Sequence, residues 1–347
     1  MAGSHDRSHP SPETLWQGLI EIARHLKSNR TILSDTLGFE VNYATLMTRA
    51  WILGRIIARE TAPGERVGIL LPTGVTAVTT YLAVLSHGRV PAMLNHTSGS
   101  RGLAQACHVA GLRRIYTAKK FIDKAKLDES LNRLPDTLVA LDSKHEAPVI
   151  TLLEELRDTI TLWDKLSGIA TAPWHRFGLN RNHTFGSGDD PATILFTSGS
   201  EGVPKGVVLS HRNILANLEQ ILDRLAFDSR TDIYFNILPM FHAFGLVVGT
   251  LAPLLTGIRT HLHPNPLEYK EVPRHLSRCK ATLFAATDTF LKGYARVSSP
   301  DAWSTLRLVF AGAEPLRDDT RALWKARFGL DIVEGYGTTE TSPVLAI

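Results

Sequence analysis

Cysteine is nearly absent: Cys107 and Cys279 are the two thiols in 347 residues. So few and so widely separated, they exclude a disulfide framework or a four-cysteine zinc site, and they fit a reducing compartment. Long apolar runs are also lacking. The charge-free apolar stretch from Ala243 to Ile258 is broken by glycine, proline and threonine and falls short of the about 20 residues a bilayer span needs, so it reads as a buried helix. The opening MAGSHDRSHP has no apolar segment of the signal-peptide kind, and residues 1–11 are set aside as a polar tail. No charge sign dominates: 38 basic against 34 acidic residues leave +4, with the basic residues scattered, which gives no nucleic-acid footprint. Charged residues at 21% and hydrophobic residues at 44% exclude a disordered chain, and the length favours two subdomains or two packed layers.

What is present is an alternation of short β-branched runs with longer helical patterns, the mark of parallel strands joined by crossover helices. The fold class is therefore α/β. VGILLP (67–72), PAMLN (91–95) and RRIYTA (113–118) read as strands around helices over 75–88 and 101–111. Between Lys124 and Asp190 the pattern weakens and reads as a surface excursion. Strands return at 192–198, 232–238, 259–263, 281–287, 306–312 and 330–337, and Ile214, Leu218, Ile221, Leu222 and Leu225 share one face of a helix over 213–227.

Ligands of open parallel sheets bind beyond the carboxyl ends of the strands, so the strand ends are where chemistry is sought. TSGSEGVPKG (197–206) packs three glycines, three hydroxyls and Lys205 directly after a strand. Such a loop can wrap amides and hydroxyls around phosphate oxygens, and it is equally the composition of a plain surface loop. It is not a Walker P-loop, because Gly206 stands where that pattern needs Ser or Thr. Three further strand ends stand out: PMFHAFG (239–245), AGAEPL (311–316) and EGYGTTETSP (334–343). His261 and His263 alternate on a strand without a third ligand at a recognisable spacing, and they read as surface or core residues rather than a metal site.

The Ser/Thr/Gly-rich run ending in P-K-G, the AGAEPL strand end and the later G-Y-G-x-T-E resemble, in the same order, the motifs of the adenylate-forming superfamily of acyl-CoA synthetases, luciferases and adenylation domains. The resemblance runs from about Val41 to the last residue. Within the superfamily, PAMLNHTSG, IYTAKKFIDKAKL, FTSGSEGVPKGVVLSHRNILANLEQI and PLLTG look like the synthetase portion of bacterial acyl-acyl-carrier-protein synthetases / 2-acylglycerophosphoethanolamine acyltransferases. Glu201 stands where most of the superfamily has a small hydroxyl residue, which puts that residue's usual phosphate contact in doubt. No His-x4-Asp acyltransferase signature is found.

The resemblance implies an ATP-dependent fatty acid ligase that forms an acyl-adenylate and passes the acyl group to a thiol, that of holo acyl carrier protein or, alternatively, coenzyme A. A third reading is a fragment that binds nucleotide or acyl-adenylate without turnover. Joining a carboxylate to the α-phosphate brings two anions together, so the site must neutralise charge and align the attack. By the resemblance Thr197, Ser198, Gly199, Ser200, Glu201, Gly202 and Lys205 form the phosphate loop, and Glu340 ligates Mg²⁺, which prefers carboxylate oxygens and shares its shell with phosphates. Ala313, Glu314, Pro315, Glu334, Gly335, Tyr336, Gly337, Thr338 and Thr339 surround the nucleotide, with Tyr336 against adenine and Thr339 at the α-phosphate. Phe241, His242, Phe244, Gly245 and Gly312 line the acyl site, where His242 positions a carboxylate that is already ionised. His242, Lys205, Thr339 and Glu340 are the expected catalytic set.

The implied architecture is two sheet-centred αβα subdomains, 12–60 with 228–347 in one and 64–227 in the other, as in the N-terminal domain of an adenylate-forming enzyme. The chain stops at SPVLAI, so the C-terminal lid with its catalytic lysine is expected to be absent and turnover by this chain alone weak. A cytoplasmic location is expected, with peripheral attachment to the inner face of the membrane through regions outside this chain.

Overall fold

The computed structural model describes residues 12–26, 29–142, 146–172, 186–197 and 204–347. In chain order the strands are β1 (Leu33–Asp35), β2 (Glu40–Val41), β3 (Arg66–Ile69), β4 (Val90–Met93), β5 (Arg114–Thr117), β6 (Val149–Leu152), β7 (Pro191–Thr197) and β8 (Lys205–Ser210). They continue with β9 (Ile233–Asn236), β10 (Arg259–Leu262), β11 (Leu283–Ala286), β12 (Leu308–Ala311), β13 (Ile332–Glu334), β14 (Tyr336–Gly337) and β15 (Val344–Ala346). Packing divides the chain into two units, one of Met1–Tyr43, Thr73–Val75 and Arg212–Ile347, the other of Ala44–Pro72 and Thr76–His211.

The first unit is built on a sheet in the order β13-β12-β11-β9-β10-β1-β2. All its neighbours run parallel except β2, which turns back on β1. Both faces are covered, so β11 reads as an unbroken apolar run buried at every position. On one face Phe284, Tyr294, Trp303 and Trp324 form an aromatic core, with the Trp303 and Trp324 rings 4.9 Å apart edge to face. His261 and His263 belong to that packing rather than to a metal site: both stack on Phe235, and His263 lies 5.5 Å ring to ring from His275. No cluster of three potential metal ligands occurs among the described residues.

The second unit is built on a sheet in the order β6-β5-β3-β4-β7-β8, parallel up to β7 and antiparallel between β7 and β8. Its core gathers Leu70, Leu94, Leu103, Ile115, Leu138 and Ile194 around Cys107. Burial pushes that thiol up to about 12, so it packs as a small hydrophobe and is inert.

Several expectations are corrected. The described part of the 124–190 stretch is not a surface excursion: β6 extends the sheet beside β5, the helix Leu134–Leu141 buries Leu134 and Leu138, and the helix Leu153–Asp158 buries Leu156. The stretch from Ala243 to Ile258 is buried as expected, but as a π-helix, Phe244–Leu251, followed by a short α-helix, Ala252–Thr256. The apolar run over 330–337 splits at Gly335 into β13 and β14, which lie in different sheets.

The unit boundaries also fall elsewhere. Residues 44–60 go with the second unit because their helix is tied there: Trp51 Nε1 and Arg55 Nη1 donate to the Thr171 hydroxyl at 3.3 and 3.1 Å, and Arg59 pairs with Asp164. Residues 212–227 go with the first unit, where Asn217 exchanges two hydrogen bonds with the Val344 backbone, at 2.7 and 3.0 Å. No helix among the described residues is long and apolar enough to cross a membrane.

Candidate active site

The carboxyl ends of β9, β11, β12 and β13 open into a cavity of about 480 Å³ in the first unit. At the end of β9 the chain turns through Asn236, whose fully buried side-chain oxygen accepts the Leu238 amide at 2.8 Å. The π-helix that follows begins beside this turn. A Cβ at Gly245 would stand 2.2 Å from the Pro239 carbonyl oxygen, so only glycine lets the helix start so close to the strand end. The wider helix sets Phe244, Gly245 and Val248 along the cavity wall. Phe244 rests on Gly312, where a Cβ would lie 3.1 Å from its ring.

The turn after β12 forms the next wall. Ala313 holds a left-handed backbone, φ +65°, which alanine rarely adopts and which the surrounding bonds must enforce. Two carboxylates hold the turn around it. Glu314 accepts the Thr289 amide and hydroxyl, and Glu334 accepts the Leu316 amide at 2.9 Å while pairing with Arg321 at 3.1 Å. Glu314 lines the cavity; Glu334 braces the turn from outside the lining.

The third wall is the β14–β15 hairpin with Gly335, Tyr336, Gly337, Thr338 and Thr339. Tyr336 keeps 66% of its surface exposed, so its ring is a free face for a planar ligand and not a core aromatic. Thr338 and Thr341 cap each other's backbone and fix the loop that carries Thr339 and Glu340. Glu340 is exposed and outside the cavity lining.

His242 lies on the cavity wall and is exposed. Desolvation by the surrounding walls lowers its pKa below the ordinary histidine value, so the ring is neutral at pH 7. A neutral imidazole can donate one hydrogen bond to a carboxylate oxygen without carrying a proton to it.

Of the expected residues, the cavity brings together His242, Phe244, Gly245, Gly312, Ala313, Glu314, Gly335, Tyr336, Gly337, Thr338 and Thr339. Phe241 is buried and Pro315 exposed, both outside the lining. Thr197 and Lys205 belong to the second unit, where they face each other across the antiparallel β7–β8 ladder. The loop from Ser198 to Val203 is the connection of that hairpin, and Ser198, Gly199, Ser200, Glu201 and Gly202 lie outside the described residues.

Sequence reasoning missed Thr287 and Phe290 at the end of β11, and Leu238, which also line the cavity. The strand-end rule that singled out the ends of β9 and β12 applies equally to β11; its sequence, AATDTF, carries no glycine or histidine to draw attention.

A profile of the AMP-binding enzyme family matches residues 21–347. The chain is 27% identical over 295 residues to 4-coumarate–CoA ligase 2 of Oryza sativa subsp. japonica, covering 82% of this chain and 50% of that protein. It is 28% identical over 363 residues to the mitochondrial medium-chain acyl-CoA ligase of Mus musculus, covering 98% and 57%. The chain thus spans about half the length of the curated relatives it matches. Among solved structures, an anthranilate CoA ligase in complex with anthranoyl-AMP superposes with a TM-score of 0.77 at 19% identity, covering 97% of this chain and 61% of that one. A benzoate CoA ligase from Burkholderia xenovorans LB400 superposes with a TM-score of 0.76 at 20% identity, covering 95% and 62%. The chain belongs to the AMP-binding enzyme family, and its fold is that of the N-terminal part of adenylate-forming enzymes.

Proposed function

We propose that this member of the AMP-binding enzyme family contributes the nucleotide and acid site of an ATP-dependent ligase that converts a fatty acid to its acyl-adenylate. The observation that carries the reading is the cavity itself. Its lining includes polar groups, Tyr336 to Thr339 with Glu314 and the Gly312–Ala313 backbone, suited to a nucleotide. It also includes apolar side chains, Leu225, Leu238, Val248, Phe290 and Phe310, suited to a hydrocarbon tail. His242 lines the same cavity as Phe244 and fits the carboxylate that must react.

In the first unit Tyr336 would lie against the base of ATP, while Thr197 and Lys205 are the phosphate-loop residues that the resemblance implies in the second unit. Mg²⁺ is a hard cation that takes one or two protein carboxylates and completes its shell with phosphate and water, which the exposed Glu340 suits. Bound metal would neutralise phosphate charge, while Thr339 positions the oxygens around it.

The acyl group then passes to a thiol. Holo acyl carrier protein is supported by the segments resembling acyl-acyl-carrier-protein synthetases, and coenzyme A by the names of the relatives, which are CoA ligases. A cytoplasmic site of action is part of the same proposal. The test is binding: an acyl-sulfamoyl adenosine of medium chain length should raise the melting temperature of this chain by several degrees, more than AMP does. A chain that responds to neither compound would refute the reading. Offering coenzyme A and holo carrier protein to the full-length protein separates the two acceptors.

A further inference from the structure

Thr287 lines the cavity, and its hydroxyl is buried with no hydrogen-bond partner among the described residues. Its place in the chain explains why the group is spare. Thr287 immediately precedes the helix Asp288–Val297 in extended backbone, φ −85° and ψ 163°, where a threonine ordinarily turns its oxygen onto an amide of the first turn. Here it makes no such bond. Glu314, reaching across from the turn after β12, has taken the Thr289 amide at 3.1 Å and the Thr289 hydroxyl at 2.7 Å instead. The capping function is met by a neighbour, and the residue built for it is left with a free hydroxyl in the cavity wall.

An unmet buried hydroxyl is a standing cost to the free protein, since it has given up water and received nothing. Valine has the same shape and would carry no such cost. Three residues on, Phe290 lines the cavity from the same face of the helix and offers no polar atom, so the partner is not supplied from that side.

We propose that the Thr287 hydroxyl is a ligand-binding group, hydrogen-bonding a polar atom of the bound acyl-adenylate, and that Glu314 frees it for this by taking over the helix cap. The inference rests on the adenylate-forming reading and adds a residue to it. The atom bonded belongs either to the nucleotide or to the acyl carbonyl.

The experiment is calorimetric titration of the 347-residue chain and its Thr287→Val and Thr287→Ser variants with a medium-chain acyl-sulfamoyl adenosine, with AMP and with decanoate. Thr287→Val should bind the acyl-sulfamoyl adenosine about three- to tenfold more weakly, Thr287→Ser within about twofold of the parent. The free Thr287→Val protein should melt at the parent's temperature or above it. A loss repeated with AMP places the bond on the nucleotide; a loss confined to the acyl compounds places it on the carbonyl. Equal affinities for the acyl-sulfamoyl adenosine, or a Thr287→Val protein that melts lower because the hydroxyl is bonded within the fold, would overturn the inference. If the parent chain binds none of the three compounds, the adenylate reading itself falls and the inference with it.

Discussion

The carboxylate of Glu314 holds both the amide and the hydroxyl of Thr289, joining the turn after β12 to the first turn of the helix after β11. This is a capping interaction made across the fold rather than along the chain. Its loss leaves an orphan helix amide next to an idle hydroxyl, that of Thr287. Glu314→Ala should therefore destabilise the chain by only about 1 kcal/mol in urea unfolding, and Thr287→Val combined with it should cost more than the two separate effects added. Strict additivity would show that Thr287 does not take up the abandoned cap.

Lys205 stands opposite Thr197 at the mouth of the β7–β8 hairpin, and it is exposed. By the proposed function Lys205 is a point charge for the outer phosphates of ATP. Lys205→Ala is expected to weaken ATP binding about tenfold or more while leaving AMP within about twofold, because AMP lacks the outer phosphates that a charge at this position would reach. Equal losses for the two nucleotides, read by calorimetry, would place the lysine elsewhere on the ligand.

How much of this was legible in the sequence follows from what each residue does. TSGSEGVPKG, AGAEPL and EGYGTTE announce themselves because glycine and hydroxyls cluster where backbone must approach a ligand, and eleven of the expected site residues line one cavity. Glu334 belongs to the same motif but braces the turn through the Leu316 amide, a distinction that depends on where the strand ends and not on residue type. The π-helix was illegible because its apolar run has the composition of any buried helix, and the close approach of Gly245 to the Pro239 carbonyl at its start is a tertiary feature. Thr287 was illegible for a related reason. Its role depends on Glu314 having displaced it from a cap through Thr289, a contact between residues 25 positions apart.

Gly312 meets the edge of the Phe244 ring, with an added Cβ only 3.1 and 3.2 Å from two ring carbons. Gly312→Val would place two further methyl groups in that gap and drive the phenyl ring into the cavity. Overpacking of this kind typically costs about 1–3 kcal/mol of stability. The functional expectation is sharper: affinity for acyl-sulfamoyl adenosines should fall more steeply with each added pair of methylenes than in the parent. A uniform loss across chain lengths would mean that Phe244 does not border the acyl part of the cavity.

The stacked histidines make the stability of the first unit depend on pH. His261 bonds the Ser34 hydroxyl from β1 at 2.8 Å and stacks on Phe235 of β9, with His263 beside it and His275 facing from the helix Glu271–Cys279. Burial, then the charges of His275, His263 and Arg259, lower the His261 pKa to about 4, whereas the same ring in the unfolded chain titrates near its ordinary value of about 6.5. Glu268, 3.1 Å from His263, is the one nearby carboxylate that opposes the trend, and burial still leaves His263 lowered. The unfolded state therefore binds more protons, and the contribution present above pH 6.5 is lost as the pH falls toward about 4, at up to about 1.4 kcal/mol per pH unit for each such ring. His211 in the second unit, also lowered to about 4 by burial, acts in the same direction. Urea unfolding between pH 6.5 and 5, before most carboxylates titrate, should show a falling midpoint in the parent and a shallower slope in His261→Gln. An unchanged slope in that variant would mean that His261 binds its proton as readily in the fold as in the unfolded chain.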